Sequence, residues 1–460
     1  MQQGDTISAI ATPPGEGGIG IIRLSGEKAV EIAGRLFFPK KGRPLSERKS
    51  HTVVYGEIRR QDGSVIDEAI CILMRSPYSY TREDVVELQC HGGIMPLKDT
   101  LSLTLELGAR PAERGEFTKR AFLNGRLDLT QAQAVMDIIE ARTESALNMA
   151  SGHLTGAFSS AIRGYREEIL AMIAHLEAAI DFPEDDIDDV VLEDVKKNAG
   201  SLLVKISRML KTASTGRILK DGLVTAIVGK PNVGKSRLLN ALLREERAIV
   251  TDIPGTTRDS IEEFVNLGGV PLRVIDTAGI RATDDAVEKI GVERSRNYVK
   301  EAQLILALFD ASKPLTLEDY EIIGLLKGRD AIILFNKCDL PSSIERTVFA
   351  KKFSADRMLN ISASTGEGLD RLTKKIIDRV YGGEVRGQEH SFVNNVRETE
   401  LLRAAGRHLN EAVKSIEAGM SPDFVVIDLR SAWEKLGEIT GETVGDDIVD
   451  QIFTRFCIGK

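Results

Sequence analysis

A phosphate-binding loop between a buried strand and a helix is the feature that most restricts how this chain can fold. The segment GKPNVGKS at residues 229–236 matches the pattern GxxxxGKS/T, follows the apolar run LVTAIV and precedes the helical segment SRLLNALL. Its backbone N–H groups and the start of the helix would surround the phosphates of a nucleotide. Further apolar runs, LRVIDTAG, LILALFDAS, AIILFNK and MLNISAS, alternate with helical segments up to about residue 382. This alternation predicts a doubly wound, mostly parallel sheet.

Three more motifs follow the loop in the expected order and indicate that the nucleotide is GTP. DTAG at residues 276–279 ends a strand, which places Asp276 near Mg²⁺ and the backbone N–H of Gly279 near the γ-phosphate. In NKCD, at residues 336–339, Asp339 can accept two hydrogen bonds from guanine, whereas adenine would leave its carboxylate unpaired. SAS, at residues 362–364, would cap the edge of the base.

The expected nucleotide site joins these motifs to TDIPGTTRD at residues 251–259, which is predicted to be the first switch. Lys235 is expected to contact the β- and γ-phosphates, and Ser236 to bind Mg²⁺. The predicted GTP-binding residues are Asn232, Val233, Gly234, Lys235, Ser236, Arg237, Thr251, Asp252, Ile253, Pro254, Gly255, Thr256, Thr257, Asp276, Thr277, Ala278, Gly279, Asn336, Lys337, Asp339, Ser362, Ala363 and Ser364.

The residue after DTAG raises the question of how the attacking water is positioned. Many small GTPases have a glutamine there, but this chain has Ile280, whose side chain neither donates nor accepts a hydrogen bond. Arg258, Arg281 and Glu288 are charged candidates for the task. Judged alone, each of the three is more typical of a solvated surface residue.

Composition limits the class of protein and its compartment. The chain has 460 residues, which suggests roughly two to four domains. Its net charge of -8 argues against holding nucleic acid by bulk charge, though not against a local basic patch. The four cysteines form no CxxC pair, so a reducing cytosol is expected rather than a disulfide framework or a zinc ribbon. No apolar run is long enough to predict a membrane span.

Patterns along the chain predict three domains. Residues 1–122 mix β-rich runs, such as HTVVYGEI and VIDEAICILM, with Gly/Pro-rich turns, which indicates an α+β domain. Residues 123–215 and 384–460 show helical spacing and would form one discontinuous all-α domain, into which the α/β module at 216–383 is inserted. The acidic stretch DFPEDDIDD interrupts the helices and is interpreted as a solvated hinge, with a metal site as the alternative.

The terminal segment FCIGK leaves several interpretations of Cys457. It fits the bare pattern of a prenylation box, but Gly459 is not aliphatic and Lys460 is not a usual final residue, so lipidation is not expected. The thiol is either a nucleophile in a site built from this tail or a buried, small hydrophobic side chain. A nucleophile would need neighbouring cations that favour the thiolate, for which Arg455 and Lys460 are candidates.

Long stretches of the chain resemble a known family. GKPNVGKS, DIPGTTRD and DTAGI together resemble the Era-like family of GTPases. DTISAIATPPGEGGIGIIRLSG, EDVVELQCHGG, RPAERGEFTKRAFLNGRLDLTQAQAV and FCIGK are similar to the tRNA modification GTPases within that family. The resemblance covers essentially the whole chain. It implies a multidomain α/β protein with a folate-binding N-terminal α+β domain, an all-α helical domain and an inserted Ras-like GTPase domain.

The resemblance also implies a folate site that includes the tail. Four residues match the family's contacts to 5,10-methylene- or 5-formyl-tetrahydrofolate: Arg23, Glu87, Arg126 and Lys460. Some family members have a lysine at position 126, and both residues are cationic. As the alternative, the arginines are surface ion-pair partners and Glu87 pairs with one of them. Cys457 would lie near the one-carbon unit, where a thiolate would assist carbon transfer or activate the uridine.

In the GTPase domain, the resemblance implies K⁺ in the role that other GTPases give to an arginine finger. The expected K⁺ ligands are the side chain of Asn232 and backbone groups of Thr251, Ile253 and Thr256. Such a cation would neutralise charge that develops on the phosphates. Thr257 is expected to join Ser236 on Mg²⁺, and many members have a serine in place of Arg237.

Glu288 matches the family residue that orients the attacking water through a second water. With this role, the expected catalytic residues are Glu288, Arg281 and Cys457.

The partners implied by the resemblance are a second copy of the chain, a flavoprotein and tRNA. The homodimer would bring its GTPase domains together across their switches, and a heterotetramer would form with MnmG (GidA), which uses FAD and NADH. Together they would install an aminomethyl or carboxymethylaminomethyl group at C5 of the wobble uridine of certain tRNAs, in the cytoplasm. Two rivals share the nucleotide motifs: a ribosome-assembly GTPase and a signalling switch that awaits an external activator. The ribosome-assembly factor does not predict the folate-like N-terminal segments or the FCIGK end. The implied K⁺ site and Glu288 favour activation by dimerisation over the signalling switch.

Overall fold

Two β-sheets, each in its own part of the chain, organise this protein. The computed structural model describes residues 4–181, 188–245, 263–275, 298–382 and 392–460. The chain divides into two compact units. The first unit contains Met1–Met136, Leu154–Phe182 and Val426–Lys460, and the second contains Asp137–His153 and Pro183–Val425.

The first unit is built around a seven-stranded sheet in the order β3-β4-β5-β6-β2-β1-β7. Neighbouring strands are antiparallel except β1 and β7, which are parallel. The strands are β1 (Ile7–Ile10), β2 (Gly17–Ser25), β3 (Phe37–Pro39), β4 (Thr52–Arg59), β5 (Val65–Met74), β6 (Val85–Gly92) and β7 (Arg110–Pro111).

Burial alternates along these strands, so one face of the sheet forms a core. Val54, Cys71 and Leu88 face a buried cluster shared with helices α1 (Ala29–Leu36) and α2 (Ile94–Glu106). Their strand neighbours Val53 and Ile70 are exposed on the opposite face. This period of two follows from the pleat of a β-strand.

The second unit contains a six-stranded sheet in the order β13-β12-β11-β8-β10-β9. All pairs are parallel except β9 with β10. Every residue of β11 and β12 is buried, as expected for strands covered on both faces. The strands are β8 (Leu223–Val228), β9 (Glu263–Leu267), β10 (Val270–Ile275), β11 (Leu304–Asp310), β12 (Ala331–Asn336) and β13 (Met358–Asn360).

Helices make up the rest of the described chain. Several start at recognisable caps; a capping box between Thr316 and Asp319 opens one, and Asn395 accepts from the N–H of Arg397 at the start of another. The helices after α2 are α3 (Glu116–Leu123), α4 (Leu129–Glu140), α5 (Glu144–Leu154), α6 (Ala157–Asp181), α7 (Asp188–Lys211), α8 (Ala213–Asp221), α9 (Lys235–Glu245), α10 (Leu317–Leu325), α11 (Thr347–Ala350), α12 (Leu369–Tyr381), α13 (Val396–Glu417), α14 (Pro422–Thr440) and α15 (Asp446–Phe453).

The fold class predicted from the sequence is confirmed. All five apolar runs of the α/β module form parallel strands, and the described residues between 129 and 215 and after 395 are mainly helical. β9 was not among the predicted strands, because its sequence EFVNL is short and only partly apolar. The three-domain division remains a prediction. The centre of DFPEDDIDD, at residues 182–187, lies outside the described residues.

Candidate functional site

The phosphate-binding loop follows β8, the strand of the second sheet at which the order of the strands reverses. β8 has β11 on one side and β10 on the other, and the loop follows its last residue, Val228. Ligands of open α/β sheets bind at such switch points. α9 begins at Lys235, so its N-terminus faces the position expected for the phosphates.

The loop holds its lysine on its own backbone. Lys235 Nζ donates to the carbonyl oxygens of Gly229 at 2.7 Å and Lys230 at 3.0 Å. Burial lowers the pKa of the Lys235 ammonium. An ammonium held by neutral carbonyls is a suitable partner for an anionic phosphate, because the phosphate would compensate its desolvation.

Asn336 ties three of the predicted motifs together. Its Nδ2 donates to the carbonyl of Val233 in the phosphate loop at 2.6 Å, and its Oδ1 accepts from the N–H of Ala363 at 2.9 Å. The side chain is buried. Gly234 lies against this bridge with a φ of +104°, and a Cβ atom built there would lie 2.3 Å from Asn336 Nδ2. Asn336 therefore holds the phosphate loop, NKCD and SAS in one arrangement.

In the NKCD motif, the carboxylate of Asp339 is exposed, and Lys337 forms an ion pair with Asp310. Asp339 is exposed after β12, as a guanine-binding group needs to be. Lys337 Nζ donates to Asp310 Oδ2 at 2.6 Å. Burial alone would raise the pKa of Asp310, but hydrogen bonds from Lys337 and Ser312 outweigh it, so that pKa is lowered. In SAS, the hydroxyls of Ser362 and Ser364 are 2.9 Å apart.

Sequence reasoning missed one anchor of the loop, Lys230. Its Nζ donates to Asp319 Oδ2 at 2.6 Å and to Thr316 Oγ1 at 3.2 Å, at the start of α10. The signal was present in the sequence, since Thr316 and Asp319 have the spacing of a capping box. The pairing with Lys230 is a tertiary contact that spacing alone does not predict.

Two of the predicted cation ligands, Ser236 and Asn232, lie within the described residues. Ser236 is exposed in the first turn of α9, and Asn232 is exposed in the loop with a φ of +62°. Hydroxyl and amide oxygens suit hard cations such as Mg²⁺ and K⁺, so the two residues fit their predicted roles. Within the described ranges, no group of three or more His, Cys, Asp or Glu residues forms a metal cluster of its own.

Many predicted nucleotide-site residues lie outside the described residues, and the structure does not bear on them. They are Thr251, Asp252, Ile253, Pro254, Gly255, Thr256, Thr257 and Arg258 of the first switch, Asp276, Thr277, Ala278 and Gly279 of DTAG, and Ile280, Arg281 and Glu288.

A second candidate site lies in the first unit, on the sheet. Arg23 of β2 and Glu87 of β6 are directly opposite each other in the antiparallel ladder. Arg23 Nε and Nη2 both lie 2.8 Å from Glu87 Oε1, and Arg23 Nη1 donates to the carbonyl of Gly459 at 3.1 Å. The two side chains are largely buried. The structure therefore brings together two residues 64 positions apart and the C-terminal tail.

The tail is fixed by its backbone. Ile458 pairs with Arg114 in an antiparallel bridge, and the N–H of Phe117 donates to the carbonyl of Lys460 at 3.2 Å. Gly459 has a φ of +90°, and a Cβ atom there would lie 2.3 Å from the carbonyl oxygen of Ile10. Only glycine allows the tail to pass this close to β1.

Two aromatic rings that were not predicted complete this arrangement. The Tyr80 ring lies between two predicted cations, with Arg126 Cζ 4.7 Å and Arg23 Cζ 5.6 Å from its centroid. Arg126 also donates to the carbonyl of Tyr80 at 3.2 Å. The Phe117 ring is 5.6 Å from Arg23. Nothing in the local pattern of SPYSYTRED distinguishes Tyr80 from its neighbour Tyr78.

This second site has groups suited to a reduced folate. A carboxylate such as Glu87 can accept hydrogen bonds from the amino and ring N–H groups of a pteridine. Cationic side chains can pair with the carboxylates of the glutamate tail of the folate. Burial lowers the pKa of Lys460, and the Arg23 guanidinium lowers it further, although Glu87 and Cys457 act in the opposite direction. Arg23 is paired with Glu87, as the ion-pair alternative expected, but the pair is largely buried and not on the surface.

Cys457 is exposed. This contradicts its interpretation as a buried hydrophobic thiol. The nucleophile hypothesis remains a prediction.

No helix in the described part of the chain combines the length and the apolar character needed to cross a membrane.

Two family models match the chain. One is described as the MnmE helical domain and matches residues 129–457, and the other as the N-terminus of the GTP-binding protein TrmE and matches residues 6–126.

Curated proteins described as tRNA modification GTPase MnmE are similar over the whole length. The protein of Alkaliphilus metalliredigens is 49% identical over 457 residues, which is 99% of both chains. Those of Geobacillus kaustophilus and Geobacillus thermodenitrificans are 49% and 50% identical over 462 and 463 residues, and each alignment covers 100% of both chains.

Proposed function

The chain belongs to the MnmE family of tRNA modification GTPases, and from this premise we propose that it hydrolyses GTP as part of a tRNA-modifying enzyme. The observation that carries the proposal is identity near one half along the full length of these relatives. The ribosome-assembly alternative is not favoured, because the match includes the N-terminal and helical segments that such a factor would not need.

The test of this function is genetic and chemical. The gene would be deleted in its host and restored on a plasmid, and nucleosides from total tRNA would be quantified by mass spectrometry. We expect the modified wobble uridine to disappear on deletion and to return with the intact gene, but not with Lys235→Ala. Unchanged tRNA in the deletion strain would refute the assignment.

For GTP, the described residues supply binding and orientation. The N–H groups of the loop and of α9 would hold the phosphates, with the Lys235 ammonium moving from the loop carbonyls to a phosphate oxygen. Asp339 would accept from guanine, while Asn336 keeps the loop and the base site together. Bound Mg²⁺ and K⁺ would supply charge neutralisation on the phosphates.

The ion and water roles belong to this proposal. Ser236 and Thr257 would hold Mg²⁺; Asn232, Thr251, Ile253 and Thr256 would hold K⁺. Glu288 and Arg281 would position the attacking water and complete the catalytic set.

The K⁺ proposal predicts a strong salt dependence. Because the proposed ligands would select K⁺ over the smaller Na⁺ beside the phosphates, GTP hydrolysis by the purified protein should be much faster in KCl than in NaCl at equal ionic strength. Asn232→Ala should remove the difference while Mg²⁺-dependent binding of GDP remains. Equal rates of the wild-type protein in the two salts would exclude the ion's role.

We also propose that the site around Arg23 and Glu87 binds a tetrahydrofolate derivative. Glu87 would accept from the pteridine, and Lys460 and Arg126 would neutralise the glutamate tail, with Tyr80 placed to stack on an aromatic ring of the ligand. Cys457 would lie at the same site as the nucleophile. Cys457→Ser should then keep GTP hydrolysis and lose tRNA modification; normal tRNA in this variant would eliminate the nucleophile.

Folate binding can be measured without tRNA. A ligand that binds only the folded state stabilises it by about 2.7 kcal/mol at 100 times its Kd. We expect 5-formyltetrahydrofolate to raise the melting temperature of the wild-type protein but not of Arg126→Ala. Arg35→Ala, which removes another exposed arginine of the first unit, is the matched control and should respond like the wild type. No shift in the wild type would refute the folate site.

For partners, we propose a homodimer formed through the uncovered face of the first sheet. Val53, Tyr55 and Ile70 are 64%, 53% and 39% exposed there, and Tyr55 lies opposite Ile70 in the ladder. A second copy is the proposed occupant because this face is continuous with the Arg23–Glu87 site on β2 and β6. The flavoprotein MnmG and tRNA would join this dimer in the cytoplasm.

A further inference from the structure

The hairpin of β9 and β10 joins two segments that are predicted to contact the bound nucleotide and its ions. β9 begins at Glu263, after the segment that contains the first switch, and β10 ends at Ile275, one residue before Asp276 of DTAG. The strands are antiparallel, with Leu267 opposite Val270. A displacement of the turn is carried to both open ends of the hairpin, because ladder hydrogen bonds keep the strands in register.

The turn of this hairpin packs closely against the first turn of α5. A Cβ atom built on Gly269 would lie 2.7 Å from Ser145 Oγ, so no side chain fits at this separation. The N–H of Gly269 donates to Asn266 Oδ1 at 2.9 Å, which holds the turn. Tyr381 OH donates to the same Ser145 Oγ at 3.4 Å, so the serine is held from α12 as well.

Arg142, two residues before α5, and Met149 within α5 also pack with the same hairpin. The Arg142 guanidinium lies over the Phe264 ring of β9, 3.7 Å from its centroid, which is a close cation–π contact. Met149 of α5 is 1% exposed and belongs to the same buried cluster as Val265 and Leu267 of β9. Close-packed contacts of this kind transmit displacement, because they leave little free volume to absorb it.

We propose that Arg142, Ser145 and Met149 form a positioning element for GTP hydrolysis: they set the position of the β9–β10 hairpin and, through it, of the residues at both hairpin ends. The proposal rests on the proposed GTPase function. Ser145 lies at the hairpin turn, and Arg142 contacts Phe264, which is opposite Arg273 in the ladder. None of the three is a predicted nucleotide-binding residue, so the proposed effect on hydrolysis is exerted through the hairpin. Because coupling is reciprocal, the bound nucleotide must also change the environment of α5.

The first test compares full-length variants in hydrolysis and affinity. Arg142→Ala removes the cation over Phe264, Arg142→Lys keeps a cation, and Leu147→Ala truncates an exposed side chain of α5 as the control. We expect Arg142→Ala to lower the single-turnover hydrolysis rate by roughly 2- to 30-fold. The affinity for a fluorescent GTP analogue should stay within about threefold, since binding and turnover separate for a group that acts only on catalysis. Arg142→Lys should recover most of the rate, and Leu147→Ala should match the wild type.

The second test is hydrogen exchange of the α5 amides, which a purely structural role would not change. In the wild type, these amides should exchange at different rates with GDP and with a non-hydrolysable GTP analogue, and Arg142→Ala should remove the difference. If Arg142→Ala does not fold, Ser145→Val provides the same comparison at the hairpin turn. Wild-type hydrolysis in the variants, or equal exchange in the two nucleotide states of the wild type, would overturn the proposal. A wild-type protein that does not hydrolyse GTP would instead overturn the proposed function.

Discussion

At the scale of single residues, a few positions hold motifs that are far apart in sequence. Asn336 lies within NKCD, yet its side-chain amide forms hydrogen bonds to the phosphate loop and to SAS. Gly234 allows this bridge because it has no side chain to occupy the space of the amide. The nucleotide motifs thus depend on an internal amide bridge as well as on the groups that face GTP.

This bridge predicts a strong effect of Gly234→Ala. The new Cβ would lie 2.3 Å from Asn336 Nδ2 at a φ of +104°, so the loop and the base motif must separate. We expect GDP affinity to fall by roughly 5- to 160-fold, as strain of roughly 1–3 kcal/mol implies. Isothermal titration with GDP would measure the loss.

Gly328→Ala is the matched control, because Gly328 has a φ of +73° but nothing within 4 Å of the new Cβ. Its affinity should be unchanged. An equal loss in both variants would mean that backbone strain, not the Asn336 bridge, is responsible.

At the scale of elements, the sequence predicted those whose pattern is set by burial. β11 and β12 are apolar throughout because both faces are covered, and the phosphate loop is a local motif between β8 and α9. β9 escaped prediction because its strand character depends on pairing with β10. Lys230 and Tyr80 escaped because their roles depend on contacts made only after folding, with Asp319 and with Arg126. The Arg23, Glu87 and tail positions came from resemblance, since 436 residues separate Arg23 from Gly459.

The first turn of α13 predicts a pH effect on stability. Glu398 is 1% exposed, its Oε2 has no hydrogen-bond partner within the described part of the chain, and burial raises its pKa above the usual 4.5 despite nearby His153 and Lys220. The stability that its protonated form contributes is fully present below pH 4.5 and is lost as pH rises through the raised folded-state pKa. Glu398→Gln should therefore raise the free energy of unfolding by roughly 1–3 kcal/mol at pH 8 and by less at pH 5.

Urea unfolding at the two pH values would measure this difference. Glu400→Gln, on an exposed position of the same helix, is the control and should show no comparable gain. A Glu398→Gln variant that is less stable than the wild type at pH 8 would contradict the prediction, because it would mean that the ionised carboxylate is needed.

At the scale of the whole molecule, two kinds of site are proposed in one chain, one in each compact unit. The first unit contains the Arg23–Glu87 pair with the tail, and the second contains the phosphate loop and the base motifs. Because each site has its own sheet and its own core, variants that damage one site should leave the other measurable.

Gly459→Ala tests this independence. The new Cβ would lie 2.3 Å from the carbonyl oxygen of Ile10, so the tail must leave its place beside Arg23. We expect the stabilisation by 5-formyltetrahydrofolate to be lost and the affinity for GDP to stay within about twofold.

Gly419→Ala controls for backbone strain, since Gly419 has a φ of +65° and open space around it. Gly419→Ala should keep both the stabilisation by 5-formyltetrahydrofolate and the affinity for GDP. A Gly459→Ala protein with normal folate stabilisation would show that the tail is not part of the binding site.

The homodimer gives a further prediction at this scale. Val53→Asp places a charge on the same exposed face of the first sheet as Tyr55 and Ile70, where contact with a second copy would remove it from water. We expect light scattering to give the mass of one chain for this variant and of two chains for the wild type. Leu317→Asp is the control, because Leu317 is 84% exposed but lies in the second unit. A dimeric Val53→Asp protein would place the interface elsewhere.

The contact between Gly459 and Arg23 also has a consequence for synthesis on the ribosome. Both strands that hold Arg23 and Glu87 are complete by residue 92, whereas the tail is made hundreds of residues later. At typical elongation rates the nascent sheet would wait roughly 20 to 70 seconds for its last component. Folate binding at the proposed site would therefore follow folding of the nascent sheet and be a late event in the maturation of the chain.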